Sequence, residues 1–194
     1  NACQAWAILN GEDTIGLCVH RMIGGELDNG DIVARCYLPV TLNTKVTDVY
    51  VWMHEEIPGL FAESVEKLSQ NKDYILERQS TDSRLALRCY PRRPEDGRID
   101  WAKPAKDILR LINASNKPFS GAFCEFDKEK MIIWDACLAE EETFLGVPGQ
   151  VTQIGEGYIE VATLEGKLRL TWVEYQKKEL PPNFVVKSMR SRLT

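Results

Sequence analysis

Residues 14–33 read TIGLCVHRMIGGELDNGDIV, and this stretch decides how the rest of the chain is organised. Leu17, Val19 and Met22 place apolar side chains along its first part, and Ile32 and Val33 resume the pattern after Asp28-Asn29-Gly30. The spacing predicts two strands, about 16–22 and 32–40, with Asp28 in their connection. Gly24 and Gly25 give the backbone freedom to approach a ligand closely. Asn29-Gly30 is a signal for a turn with positive φ. His20 lies on the first strand and Asp28 on the near side of the turn. Two extended segments joined in this way can bring an imidazole and a carboxylate within reach, and such a pair can orient a proton-transfer group. A plainer reading also fits: an Asp before Asn-Gly caps its own backbone, and a lone His on an apolar strand is satisfied in the core.

Upstream, residues 2–9 read as the end of a helix, stopped by Asn10-Gly11. Downstream, Val49, Trp52, Met53, Ile57, Leu60, Phe61, Val65 and Leu68 recur at steps of three and four. They predict an amphipathic helix that packs this stripe on a sheet, with a kink or break at Pro58-Gly59. His54 falls off the stripe and is expected to be exposed, without a role. Residues 71–83 are polar and irregular, a linker by composition, and residues 84–90 alternate weakly enough for a short strand. Arg92-Arg93-Pro94-Glu95-Asp96-Gly97 is a loop. It is either a solvated turn with internally paired charges or a phosphate or sugar contact, since planar guanidinium forks suit phosphate.

Residues 104–114 form the next predicted helix, with Ile108, Leu109, Leu111 and Ile112 as its apolar face. Beyond Pro118 the period becomes two. Residues 121–126 and 131–139 make a hairpin around 127–129. An acidic loop follows at 140–143, then strands at 151–154, 158–163 and 167–175. Five short, closely spaced strands suggest a small open barrel.

The chain has 194 residues, 44% of them hydrophobic and 27% charged, enough for an ordinary core in one large or two small domains. A net charge of −5 argues against a general nucleic-acid surface, though not against a local basic patch. With no run of ~18 apolar residues there is no membrane span. Cys3, Cys18, Cys36, Cys89, Cys124 and Cys137 are scattered, with no C-x-x-C and no paired-His spacing. They read as buried thiols of a reducing, cytoplasmic compartment, and no metal site is predicted.

Trp6, Ile8, Asn10-Gly11, Gly16, His20 and Met22, then Leu27-Asp28-Asn29-Gly30-Asp31-Ile32, resemble the formyltetrahydrofolate-dependent formyltransferases. That family shows W-x-I-x-N-G-x-x-x-x-G-x-T-x-H-x-M followed by an (I/L)-D-x-G-D-I block. One residue more separates His20 from Asp28 than the family pattern has, an insertion at Gly24-Gly25. Arg98-Ile99-Asp100-Trp101, Pro118-Phe119-x-Gly121-Ala122-Phe123, Ile133-Trp134 and Pro148-Gly149 are similar to the C-terminal barrel domain of the larger members.

The resemblance implies an α/β plus all-β fold: the C-terminal part of a Rossmann-like formyltransferase domain, then a small open, OB-like β-barrel. It divides the chain into 1–83 (end of the catalytic domain), 84–120 (connecting loop and helix), 121–176 (barrel) and 177–194 (a basic tail). It also implies that the first half of the catalytic domain, with the family's catalytic Asn and His, precedes Asn1 and is a partner of this chain. A homodimer stays open. The cosubstrate is 10-formyltetrahydrofolate, and no metal is needed. Asp28 matches the family's catalytic aspartate and His20 would brace it, while Gly24, Gly25 and Glu26 would lie beside the pterin. Tyr90, Arg92 and Arg93 resemble the R-R-x-P-(E/D)-D loop of UDP-4-amino-4-deoxy-L-arabinose formyltransferases. The favoured acceptor is therefore a nucleotide-linked amino sugar. Methionyl-tRNA, with Lys177, Lys178, Lys187, Arg190 and Arg192 as its binding tail, and a non-catalytic binding module are the alternatives.

Overall fold

The computed structural model of the chain describes residues 3–25, 28–140 and 143–194. Helix α1 (Cys3–Asn10) ends where Gly11 takes φ +70° and its N–H bonds the Ile8 carbonyl, as the Asn-Gly signal predicts. Strands β1 (Thr14–His20) and β2 (Ile32–Pro39) pair antiparallel as a two-stranded sheet. Residues 72–79 run beside β2, with an isolated bridge between Ile32 and Glu77. The predicted linker is thus held against the hairpin.

Helix α2 (Val46–Gln70) runs unbroken through Pro58, where a kink or break was expected. Its residues 54–59 are all exposed, so the carbonyl that Pro58 leaves without an N–H can be hydrated. Its apolar stripe is only half used. Val46, Val49 and Leu60 are buried, but Ile57, Phe61 and Val65 are 46%, 60% and 53% exposed. The reason is geometric: 25 residues of helix span about 37 Å, while two strands side by side cover roughly 10 Å.

Residues 83–97 contain two short 3₁₀ turns, Ser83–Leu85 and Pro94–Gly97. No strand forms across 84–90; those residues are exposed apart from half-buried Cys89, so no sheet edge recruits them. Helix α3 (Ala105–Ala114) then packs on β3 (Ala122–Phe126), β4 (Glu129–Leu138), β5 (Val151–Gly155), β6 (Tyr158–Ala162), β7 (Lys167–Tyr175) and β8 (Lys178–Leu180). The order is β3-β4-β7-β6-β5, with β8 also on β7. The five predicted strands are present, and β8 adds a sixth within the stretch read as a tail. β3 and β5 stand at opposite edges of this order, and no closed barrel is seen among the described residues.

Ile108, Leu109 and Ile112 of α3 are buried with Met131, Ile133, Ile159, Leu168, Leu170 and Val173 of the sheet. The C-terminal residues belong to this core. Val186 and Leu193 are buried, and Thr194 exchanges backbone hydrogen bonds with Glu125. A second, smaller core of Ala5, Ile8, Val46, Val49 and Ala114 joins α1, α2 and α3. An irregularity in β4 at Asp135 turns that carboxylate toward Lys45 at the start of α2, at 2.5 Å. No helix among the described residues is long and apolar enough to cross a membrane.

Candidate functional site

The connection from β1 to β2 is set by one close approach. A Cβ on Gly30 would fall 1.7 Å from the Arg21 carbonyl oxygen, so only glycine fits where the two ends of the loop touch. The neighbouring Arg21 N–H donates to the Asp31 carbonyl at 2.9 Å, and the Gln79 side-chain amide donates to the Gly30 carbonyl at 2.6 Å. The Arg21 guanidinium reaches back to the carbonyls of Lys72 and Tyr74. Positive φ falls on Gly25 (+87°) and Asp28 (+55°), not on Asn29-Gly30 as the turn signal suggested. Crowding against Arg21, not a left-handed backbone, explains Gly30.

This geometry brings His20 and Asp28 together. His20 Nδ1–H donates to the Arg21 carbonyl at 2.9 Å, which leaves Nε2 facing Asp28 Oδ1 at 3.6 Å. The separation is an ion-pair distance, charged only when the imidazole is protonated, and longer than a hydrogen bond. The extra residue at Gly24-Gly25 is absorbed in the loop without separating the pair. His20 is 22% exposed and Asp28 94% exposed, so this chain's own residues leave the carboxylate open to solvent. Side chains at Gly24 and Gly25 would meet open space, consistent with a face that a ligand or another chain segment could approach. Glu26 lies outside the described residues.

The second set of predicted residues lies elsewhere. Arg92 and Arg93, with Pro91, Pro94 and Gly97, line a cleft of about 240 Å³ whose other walls are Ala5 of α1 and the 115–121 turn. Arg92 is half-buried, and its guanidinium donates to the Asp96 carbonyl at 2.9 Å. Burial pulls the Arg92 pKa below its ordinary value, with Asp96 countering. The Asp96 carboxylate accepts from the Arg93 backbone N–H at 2.6 Å, so the loop is held by contacts to its own backbone. Tyr90 is 68% exposed and its ring is not among the cleft-lining side chains. Its carbonyl accepts from the Trp6 indole at 2.8 Å. Among the described residues the His20–Asp28 pair and the Arg92–Arg93 cleft share no hydrogen bond, ion pair or cavity.

One feature escaped the sequence reading. Ser115, buried at the end of α3 in the floor of this cleft, has a hydroxyl with no partner among the described residues. Ser115 directly follows α3, and nothing in its local sequence signals a role.

A sequence profile of the formyl transferase C-terminal domain matches residues 92–189. Solved structures share the fold. HypX from Aquifex aeolicus, in complex with tetrahydrofolic acid, matches with a TM-score of 0.71 at 22% identity, over 97% of this chain and 33% of HypX. WlaRD, a sugar 3N-formyl transferase solved in the presence of dTDP and 5-N-formyl-THF, gives 0.62 at 21%, over 92% of this chain and 61% of its own. The N-formyltransferase from Helicobacter canadensis, in complex with folinic acid and dTDP-3-aminofucose, gives 0.61 at 20%, over 88% and 60%. The chain therefore spans about a third of HypX and three-fifths of the sugar enzymes.

Proposed function

The chain belongs to the formyl transferase C-terminal domain family, and on that premise we propose that it is part of an enzyme moving a formyl group from 10-formyltetrahydrofolate to the amine of a nucleotide-linked amino sugar. The observation that carries this reading is the approach of His20 to Asp28 at 3.6 Å on an exposed glycine loop. An amine attacking a formyl carbonyl must lose a proton, and a carboxylate at the edge of the site can take or relay it. Asp28 has that position, and His20, fixed by its bond to the Arg21 carbonyl, orients it. Gly24 and Gly25 would offer backbone groups to the pterin, beside Glu26.

Oxyanion donors are also needed. On this reading they come from a segment upstream of Asn1, which would pack against the exposed side of β1 and α2 and cover Asp28. Residues 1–83 then complete the catalytic domain, 84–120 connect it, and 121–176 form a small open, OB-like barrel with 177–194 along it, in a cytoplasmic protein.

For the acceptor, the half-buried Arg92 donates to a carbonyl and not to a carboxylate, which leaves its charge available to a diphosphate. Arg93 lines the same cleft, and Tyr90 lies two residues before Arg92 in the chain. The sheet region is rich in Glu and Asp, unlike a surface selected for tRNA phosphates. The nucleotides in the two sugar enzymes support the same choice. The complete enzyme, incubated with 10-formyltetrahydrofolate and either a panel of dTDP- and UDP-amino sugars or charged initiator tRNA, should formylate a sugar. Formyl-methionyl-tRNA with no sugar product would overturn the acceptor assignment.

A further inference from the structure

Away from the Asp28 loop and the Arg92 cleft, a cavity of about 320 Å³ opens where distant parts of the chain meet. Asn43 and Lys45 reach it from the approach to α2, Asn113 from the last turn of α3, Asp135 from β4 and Thr171 from β7. Asn113 is 1% exposed. Its amide N–H donates to the Leu42 carbonyl at 2.8 Å. That bond fixes which way the amide points, because the flipped form would set oxygen against oxygen. Oδ1 is left without a partner among the described residues. A bare amide oxygen at such depth is unfavourable, so the position calls for a donor.

The neighbouring groups divide by role. Thr171 Oγ1 donates to Asp135 Oδ2 at 2.9 Å; its proton is committed, and toward the cavity it can only accept. Lys45 Nζ donates to Asp135 Oδ1 at 2.5 Å, and each oxygen of that carboxylate keeps a lone pair. Asn113, Asp135 and Thr171 are therefore acceptors with no proton left to give. Lys45 has further N–H groups, and Asn43 adds an exposed amide at the rim. The Lys45–Asp135 pair is neutral as a unit. A simple anion would meet the lone pairs of Asn113 and the Asp135 carboxylate. A metal ion would compete with the ammonium already on Asp135. A ligand that brings its own ammonium and its own carboxylate suits both halves.

We propose that this cavity binds an α-amino acid as its zwitterion. The ligand ammonium shares its three protons among Asn113 Oδ1, an Asp135 oxygen and Thr171 Oγ1. The ligand carboxylate accepts from Lys45 Nζ and the Asn43 amide. The two charges of an α-amino acid are one carbon apart, and the Lys45–Asp135 pair that receives them is equally close-set.

The test reads binding and not turnover, and the cavity shares no lining residue with the Arg92 cleft, so its outcome is independent of the proposed formyl transfer. The purified full-length protein is titrated calorimetrically with the individual common L-amino acids. The best binder is then compared with its amine counterpart, which lacks the carboxylate, and its acid counterpart, which lacks the ammonium. At least one amino acid should saturate the protein with a Kd below about 1 mM, and each counterpart should bind about tenfold more weakly or worse. Thr171→Val, which keeps the side-chain shape, and Lys45→Met should each weaken the amino acid about tenfold. Both positions are only half-buried, and melting curves confirm that the variants fold. No saturation by any amino acid below about 10 mM would mean that water alone serves Asn113 Oδ1, and would overturn the proposal. So would an amine or acid that binds as tightly as the amino acid, or affinity unchanged in either variant.

Discussion

The sheet with α3 and the hairpin with α2 are built from similar raw material and end in opposite conditions. In the first, an amphipathic helix lies on a six-stranded sheet, and its apolar face disappears: Ile108, Leu109 and Ile112 are at most 1% exposed. In the second, a helix more than twice as long meets two strands, and Phe61 and Val65 stay in solvent. A two-stranded sheet is marginal without a partner on its face. The difference teaches that an apolar stripe specifies a demand for cover, while the width of the neighbouring sheet decides how much is met. The candidate proton-transfer pair sits in the under-covered region, where a further segment would also complete the site.

The contrast breaks first at Asp28. Asp28→Ala in the complete enzyme should cut formyl transfer by about 10²–10⁴-fold, and in the 194-residue chain alone, where the side chain is 94% exposed, it should leave the melting temperature unchanged. His20→Ala should cost less. Turnover close to wild type for Asp28→Ala would remove the proposed chemistry from this region.

The sheet has its own charged centre. Glu160, 3% exposed, accepts from Arg169 at 2.7 Å and pairs with Lys167 at 3.0 Å. Replacing it with Gln leaves two cations without their shared carboxylate and should cost about 3–5 kcal/mol at neutral pH, read by urea unfolding. Burial pushes the Glu160 pKa up, but hydrogen bonds from Arg169 and Lys167 outweigh it, and the net shift is downward. A carboxyl lowered on folding contributes stability that is fully present above its unfolded value, near 4.5, and lost as pH falls through the lower folded value. Wild type and Glu160→Gln should therefore converge in stability in acid. A constant gap down to the acid limb would mean that the cost is one of packing and not of charge.

Truncation sharpens the comparison further. Ile133→Ala, fully buried in the sheet, should destabilise by about 2–5 kcal/mol. Phe61→Ser, at 60% exposure on α2, should stay within about 0.5 kcal/mol while reducing self-association of the isolated chain in sedimentation. A large loss of stability from Phe61→Ser would show that the chain already covers that face.

Much of this was legible from the chain. Hydrophobic period gave α1, β1, β2, α3 and five of the six strands close to their ends. The Asn10-Gly11 stop, the Asp28 loop and the Arg92–Gly97 turn fell where their residues say. What misled was local pattern without knowledge of what lies alongside. Residues 84–90 alternate like a strand but have no edge to join. Pro58 reads as a break but lies where solvent can satisfy the freed carbonyl. The cysteines sit in apolar segments, yet only Cys124 is buried, with Cys36 and Cys89 half-buried and Cys3, Cys18 and Cys137 exposed. Lys178–Leu180 looks like a polar tail and is a strand because Val173–Tyr175 offers it an open edge.

By itself the sequence determined α1, α3 and most of the strands, which residues demand burial, and that His20 and Asp28 flank one short connection, because all of these follow from interactions a few residues apart. Only the tertiary structure decided that Gly30 is fixed by the Arg21 carbonyl, that Arg92 is half-buried beside a cleft that Ser115 also lines, and that half of the α2 stripe remains bare. Each of these depends on which distant backbone comes to lie alongside, and local propensity carries no information about such neighbours.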